Sequence, residues 1–154
     1  MKVIINGPAD LQARAGQKLA TGQWSTMDMA RIRLFADATD DHQWIHVDEE
    51  RARKESPFGK PVAHGYLTLS LTAGALFELV DLQGFALAVN YGSNKVRYPA
   101  PLGAGDRYRV SIALGEVKEV GGGFFEAIFI NTVEIEGQPK PACSAEVVVR
   151  LRPA

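Results

Sequence analysis

The stretch Asp40 to Asp48, DDHQWIHVD, gathers three aspartates, two of the chain's 3 histidines and a tryptophan around Ile45 and Val47. Carboxylates and imidazoles interleaved with apolar residues describe a half-buried segment, and two chemistries suit it. One is a metal site: His42 and His46 are four apart, and Asp41 or Asp48 would add an oxygen ligand. Gln43, however, stands where a zinc protease has its glutamate, Trp44 and Ile45 suit a loop better than a helix, and zinc needs three or four convergent ligands. The other is an acid/base pair of Asp41 and His46, whose reference pKa values of about 3.9 and about 6.5 let one hold a proton while the other accepts one. Against it stands a bland alternative, common for an isolated pair, in which Asp41 caps a turn and His46 is a satisfied buried imidazole.

A third element lies downstream in FGKPVAHGYLTLSL, where Gly65 opens an apolar helix. A glycine there lets a ligand approach the backbone, and the free N–H groups at the positive end of the helix dipole can hold an oxyanion. The alternatives are that Gly65 is a close-packing residue and that His64 only caps or packs.

The elements that must position these groups follow from periodicity. In STMDMARIRLFADATDD, Ser25 and Asp28 make a capping-box-like start, and Ala30, Leu34 and Ala38 with Met27 and Phe35 predict the buried stripe of a helix ending before Asp40. DEERARKES predicts a second, charged helix. From His64 to Val80 there is a single charge, Glu78, and apolar residues on every face, so the helix is expected to be surrounded by protein. At about 25 Å it is too short, and too rich in Thr, Ser and Gly, for a membrane span.

After Gly84 the chain reads as strand and turn. RYRVSIAL alternates Tyr108, Val110, Ile112 and Leu114 against Arg107, Arg109 and Ser111. FALAVNYGSNKVRY, FFEAIFINTVEIE and ACSAEVVVRL complete four long strands, and Gly121 to Gly123 and GQPKP mark tight antiparallel connections. The fold class is α+β, one buried helix against an antiparallel sheet, in a single domain over 1–154. Covering the helix ends and sheet edges is most economically done by a second copy, so a homodimer is expected.

Composition narrows the function classes. With 17 basic and 18 acidic residues the net charge is -1, which leaves no field for nucleic acid or anionic membrane. The one cysteine, Cys143, sits in an alternating strand and reads as core; with no apolar leader in MKVIINGPAD, a cytoplasmic location is expected. The Gly121 run precedes a strand, so it is no phosphate loop, and Arg107 and Arg109 alone make no nucleic-acid footprint.

The segment ATDDHQWIHVDEERARKESPFGKPVAHGYLTLSL resembles the signature of the MaoC-like dehydratases, the (R)-specific enoyl-CoA hydratase group of the hot-dog superfamily. That pattern is an aspartate, four residues, a histidine and an acid two further on, then Phe-Gly-x-Pro-x-x-His-Gly. Gln43 and Trp44 replace the Asn-Pro of many members, and with NYGSNKVRYPAPL the chain looks most like the branch that includes the nodulation protein N type.

The resemblance implies a sheet wrapped around a long central helix and reversible addition of water to a trans-2-enoyl thioester, giving the (R)-3-hydroxyacyl product. It implies Asp41 and His46 as the dyad and Gly65 as the oxyanion donor, with no metal or redox cofactor, since CoA belongs to the substrate, whether the carrier is CoA or acyl-carrier protein. Gln43, Trp44, His64 and Asn94 are possible pocket residues, and Asn94, Lys95 and Arg97 are candidates for the pantetheine or phosphates. Ala73 replaces a serine that some members carry, with Ser70 and Thr72 nearby. A hot-dog thioesterase and a non-catalytic acyl-thioester-binding protein remain the alternatives.

Overall fold

The computed structural model describes residues 1–154. The chain opens with β1 (Val3–Asn6) and α1 (Gly7–Ala13), where Pro8 lies in the first helical turn and Leu11 is buried. Two short strands follow, β2 (Lys18–Thr21) and β3 (Ser25–Thr26).

The helix expected from Ser25 begins later, as α2 (Met29–Thr39), because Asp28 is itself the N-cap and its carboxylate accepts from the Arg31 amide at 2.8 Å. Ser25 is thereby left to pair with Tyr108 as a strand. The buried face is also rotated from the expected one: Ile32 and Ala36 are fully buried, while Ala30, Leu34 and Ala38 are exposed. Met27 is buried just outside the helix and Phe35 packs against the core, so two of the five expected stripe residues hold. Asp40 ends α2 in the left-handed region at φ 59°, which aspartate tolerates better than most residues.

Residues Trp44–Val47 form a short helix, α3, and not the loop that Trp44 and Ile45 suggested. Next is α4 (Glu49–Glu55), capped by the Asp48 carboxylate on the Arg51 amide at 3.0 Å, with Glu49 and Glu50 at its start and Arg53 and Lys54 at its end, as the helix dipole favours. Capping occupies Asp48 and removes it from any ligand set.

The long helix is α5 (Gly65–Leu79), followed by β4 (Val80–Gln83) and β5 (Phe85–Arg97). Then come β6 (Arg107–Val120), β7 (Phe124–Ile135) and β8 (Cys143–Pro153). Gly122 and Gly123 turn β6 into β7 with φ 77° and 74°, a region glycine enters without a Cβ penalty. The main sheet has the order β2-β6-β7-β8-β5, with β3 also on β6, and every pairing is antiparallel. A separate parallel pair, β1 with β4, had no signal in the sequence pattern.

The inner sheet face carries Tyr108, Val110, Ile112 and Leu114, as alternation predicted, with Phe129, Val133, Val149 and Leu151 beside them. Leu67, Thr68, Thr72 and Leu76 of α5 are the buried side of the helix. Both threonines satisfy their hydroxyls locally, on the His64 and Leu69 carbonyls. The expectation that α5 is surrounded fails on its other side, where Tyr66 (75%) and Phe77 (58%) are largely exposed and Ser70, Ala73 and Gly74 face outward. Strand β5 is equally open: it is the sheet edge and exposes Leu87, Val89 and Tyr91. No helix is long and apolar enough to cross a membrane.

Candidate active site

The site is built where α2 ends, α3 begins and α5 starts. His46 lies in α3 and is 7% exposed, and its Nδ1 is 2.6 Å from the Val62 carbonyl oxygen. A carbonyl only accepts, so Nδ1 carries the proton and Nε2 keeps its lone pair. The segment bearing Val62 is fixed at three points: its amide donates to Ile45, the Ala63 amide donates to Leu102, and Pro61 accepts from Ala104. His46 is thus oriented by backbone that is anchored on two sides.

Asp41 follows the left-handed Asp40 and is half exposed, with side-chain exposure of 49%. Its carboxylate receives only a long 3.4 Å bond from the Gln43 amide. His64, the residue before α5, is 2% exposed; its Nε2 is 2.9 Å from the Asp41 carbonyl oxygen and 4.0 Å from an Asp41 carboxylate oxygen. The His46 and His64 rings stack with centroids 3.8 Å apart and planes inclined by 24°, and Phe35 closes the other side at 5.0 Å. A nitrogen from each histidine and an Asp41 oxygen lie within 4.8 Å of one another. One water can span that gap with two hydrogen bonds of about 2.8 Å.

Burial pushes the His46 pKa below its ordinary value. The Val62 carbonyl bond works against that shift, His64 adds to it, and Asp41 opposes it. The net result is a neutral imidazole with a free basic nitrogen. Helix α5 starts without a side-chain cap, so its first N–H groups, that of Gly65 included, are open to a ligand oxygen. Gly65 also has a packing reason: a Cβ there would lie 3.2 to 3.4 Å from the Tyr98 ring. Tyr98 therefore belongs to the site's wall and was missed in the sequence, where RYPAPL gave an aromatic residue but no partner for it.

The metal reading built on His42 and His46 does not hold. His42 is exposed and pairs with Asp37 at 2.9 Å, which raises its pKa, while Asp48 caps α4. The third group of the cluster is His64, whose Nε2 proton is committed to the Asp41 carbonyl. With His46 Nδ1 likewise committed, the lone pairs left in the cluster are those of His46 Nε2, the buried His64 Nδ1 and the Asp41 carboxylate, and neither His42 nor Asp48 joins them.

Of the other expected residues, Gln43 is bonded to the cluster through its backbone, its carbonyl accepting from the His46 amide at 2.9 Å, and the rest lie apart. Gln43 is the N-cap of α3 and touches Asp41 only through its amide. Trp44 is half-buried beneath the Arg51 guanidinium, 4.3 Å from the ring centroid. Asn94, Lys95 and Arg97 are exposed on β5, where Lys95 pairs with Glu146 and Arg97 donates to the Val96 carbonyl. Cys143 is fully buried, and burial pushes its thiol up to about 11.

A surface cavity of about 610 Å³ between α2 and α5 is lined by Phe35, Leu67 and Gly74, and by none of Asp41, His46 and Gly65. Gly65 instead lines a cavity of about 430 Å³ with Thr68 and Tyr98. Farther along α5, Leu69, Ala73 and Leu76 line a third, about 270 Å³, with Ala88 and Val147. Ala73 thus faces free space. Asn131 contributes a buried carboxamide to that cavity, with its Oδ1 unpaired.

Residues 10–132 match the family model described as MaoC like domain. The chain is 49% identical over 142 residues to 3-hydroxyacyl-thioester dehydratase Z of Mycobacterium tuberculosis, covering 92% of this chain and 93% of the relative. It is 43% identical over 145 residues to Nodulation protein N of Rhizobium leguminosarum bv. viciae, covering 94% and 90%. Among solved structures, R-hydratase PhaJ1 of Pseudomonas aeruginosa superposes with a TM-score of 0.71 at 21% identity, covering 91% of this chain and 83% of that one, which bears on fold alone. The fold is the hot-dog, a sheet curled about its central helix.

Proposed function

This chain belongs to the MaoC-like domain family and is a hydro-lyase, and on that premise we propose that it hydrates trans-2-enoyl thioesters reversibly to (R)-3-hydroxyacyl thioesters. The observation that carries the proposal is the approach of Asp41 and His46 to within one water's span beside the uncapped start of α5.

His46 Nε2, neutral and unpaired, takes a proton from the water as its oxygen bonds to the β-carbon. The electrons of the double bond move toward the thioester oxygen, and the Gly65 N–H meets the charge that develops there. Such a donor is worth about 3 kcal/mol in the transition state. Asp41 orients the same water and relays to the α-carbon the proton that His46 has taken, so hydroxyl and proton both derive from the water and both side chains return to their starting states. Because the two groups share protons, the apparent pKa values governing turnover belong to the pair. The reaction involves no net change of oxidation state and so calls for no redox cofactor, and CoA or acyl-carrier protein enters as part of the substrate.

The exposed side of α5 and the open edge β5 support a homodimer in this reading, since a long apolar edge strand invites pairing. The deciding assay is incubation with crotonyl-CoA. Loss of the conjugated enoyl absorbance with no free thiol is the expected result. Thiol release would mean thioester hydrolysis, and binding without turnover would mean a non-catalytic acyl-thioester binder.

A further inference from the structure

His64 is the most deeply buried of the three histidines, and although its backbone is the N-cap of α5, its side chain makes no cap bond to the helix. Besides a tilted contact with the Phe35 ring at 5.0 Å, its specific side-chain contacts go to the two residues assigned to chemistry. Nε2 reaches across 23 residues to the Asp41 carbonyl at 2.9 Å, and the ring lies flat on His46 at 3.8 Å. Its remaining nitrogen, Nδ1, is buried with no partner. A buried polar atom left unpaired is costly, and a purely structural site would be filled more cheaply by an apolar side chain. The Asp41 side chain, by contrast, has only the 3.4 Å bond from Gln43 to hold it, and its residue follows the left-handed turn at Asp40.

We infer that His64 is a positioning residue for the dyad: its Nε2–H tethers the Asp41 backbone to the start of α5, and its ring sets the plane of the His46 imidazole. The inference rests on the hydratase reading for its kinetic consequence but not for its geometry. The Nε2–H bond fixes where the chain leaves α2, so the carboxylate and the His46 Nε2 face the same water. The stack keeps His46 from tilting about its single bond to Val62. Displacing one partner of such a pair by about 1 Å is enough to cost ~100-fold in rate.

Two substitutions separate the tether from the ring. His64→Phe keeps a flat ring of similar volume and removes the donor; His64→Gln keeps an N–H at the same reach and removes the ring. With crotonyl-CoA, H64F is expected to lose ~100-fold in kcat with KM little changed, and H64Q to recover to within ~10-fold of the parent. Equal losses in both, a larger loss in H64Q, or full activity in H64F would overturn the inference.

A measurement on the unaltered protein covers the case in which a variant does not fold. Imidazole nitrogen NMR without substrate is expected to find His64 protonated at Nε2 with Nδ1 bare, and His46 protonated at Nδ1. The opposite tautomer at His64 would remove the tether. This spectrum needs no turnover, so a failure of hydratase activity and a failure of the tether give different results.

Discussion

Replacing His46 tests the site most sharply, because its two nitrogens have separable tasks. Nδ1 donates to the Val62 carbonyl at 2.6 Å and Nε2 is the proposed base. Asparagine reproduces the Nδ1 position with an amide N–H and has nothing at Nε2. His46→Asn therefore keeps the structural bond and loses the chemistry, whereas His46→Ala loses both. General-base catalysis contributes ~10²- to 10⁴-fold, which is about 3 to 5 kcal/mol of transition-state free energy at 1.36 kcal/mol per tenfold. H46N and H46A should lose kcat/KM for crotonyl-CoA by that amount alike.

Their stabilities should differ. In H46A the carbonyl of Val62, a residue only 4% exposed, has no other protein donor. Leaving it unpaired costs about 1 to 3 kcal/mol. For a domain of this size about 1 kcal/mol moves Tm by ~2 to 4 °C, so H46A should melt ~2 to 12 °C below H46N. The assays are enoyl absorbance for the rate and a two-state melt for the stability. Activity in H46N within tenfold of the parent, or coincident melting of the two variants, would refute the division of labour between the nitrogens.

Asp41→Asn should lower kcat by at least ~100-fold while leaving the melt within about 0.5 kcal/mol, because the side chain is half exposed and weakly bonded; retained turnover would show the carboxylate to be idle. The acidic limb of kcat/KM against pH should fall below the ordinary histidine value of 6.5, since burial lowers the His46 pKa and the base stays neutral further into acid; a limb above 6.5 would contradict that direction. The sign for stability agrees: a histidine with a depressed folded pKa contributes fully above the unfolded value and loses that contribution as pH falls through it toward the folded one. Cys143, with its thiol raised to about 11 by burial, should resist thiol reagents at pH 8 until the protein unfolds, so stoichiometric labelling of the native state would contradict its core placement. Phe77→Glu on the open side of α5 should convert the expected dimer to monomer by sedimentation, and an unchanged sedimentation coefficient would move the interface elsewhere.

What local pattern encodes was legible in the sequence. The period-two alternation of Tyr108, Val110, Ile112 and Leu114 assigned the inward face of β6 because strand geometry leaves no other arrangement. The single charge, Glu78, in the apolar run from Gly65 to Leu79 marked the central helix, and the ordered motif from Asp41 to Gly65 marked the candidate site. What failed there failed for want of tertiary information. The face of α2 turned from Ala30, Leu34 and Ala38 to Ile32 and Ala36, because the competing apolar positions on a short helix are chosen by what packs against them. The same lack hid the open side of α5, since an apolar residue looks alike in sequence whether sheet or solvent faces it.

The site divides in the same way. Residue types and spacing singled out a carboxylate, an imidazole and a glycine-led helix as the candidates for the chemistry. Only the folded chain decided that His64 and not His42 completes the cluster, that the Val62 carbonyl selects the His46 tautomer, and that Tyr98 fills the space beside Gly65. Those are contacts across 16, 23 and 33 residues, made by hydrogen bonds of fixed direction and by rings at van der Waals distance. Spacing along a chain cannot specify such directions; they arise when the sheet closes around α5 and brings the segments together.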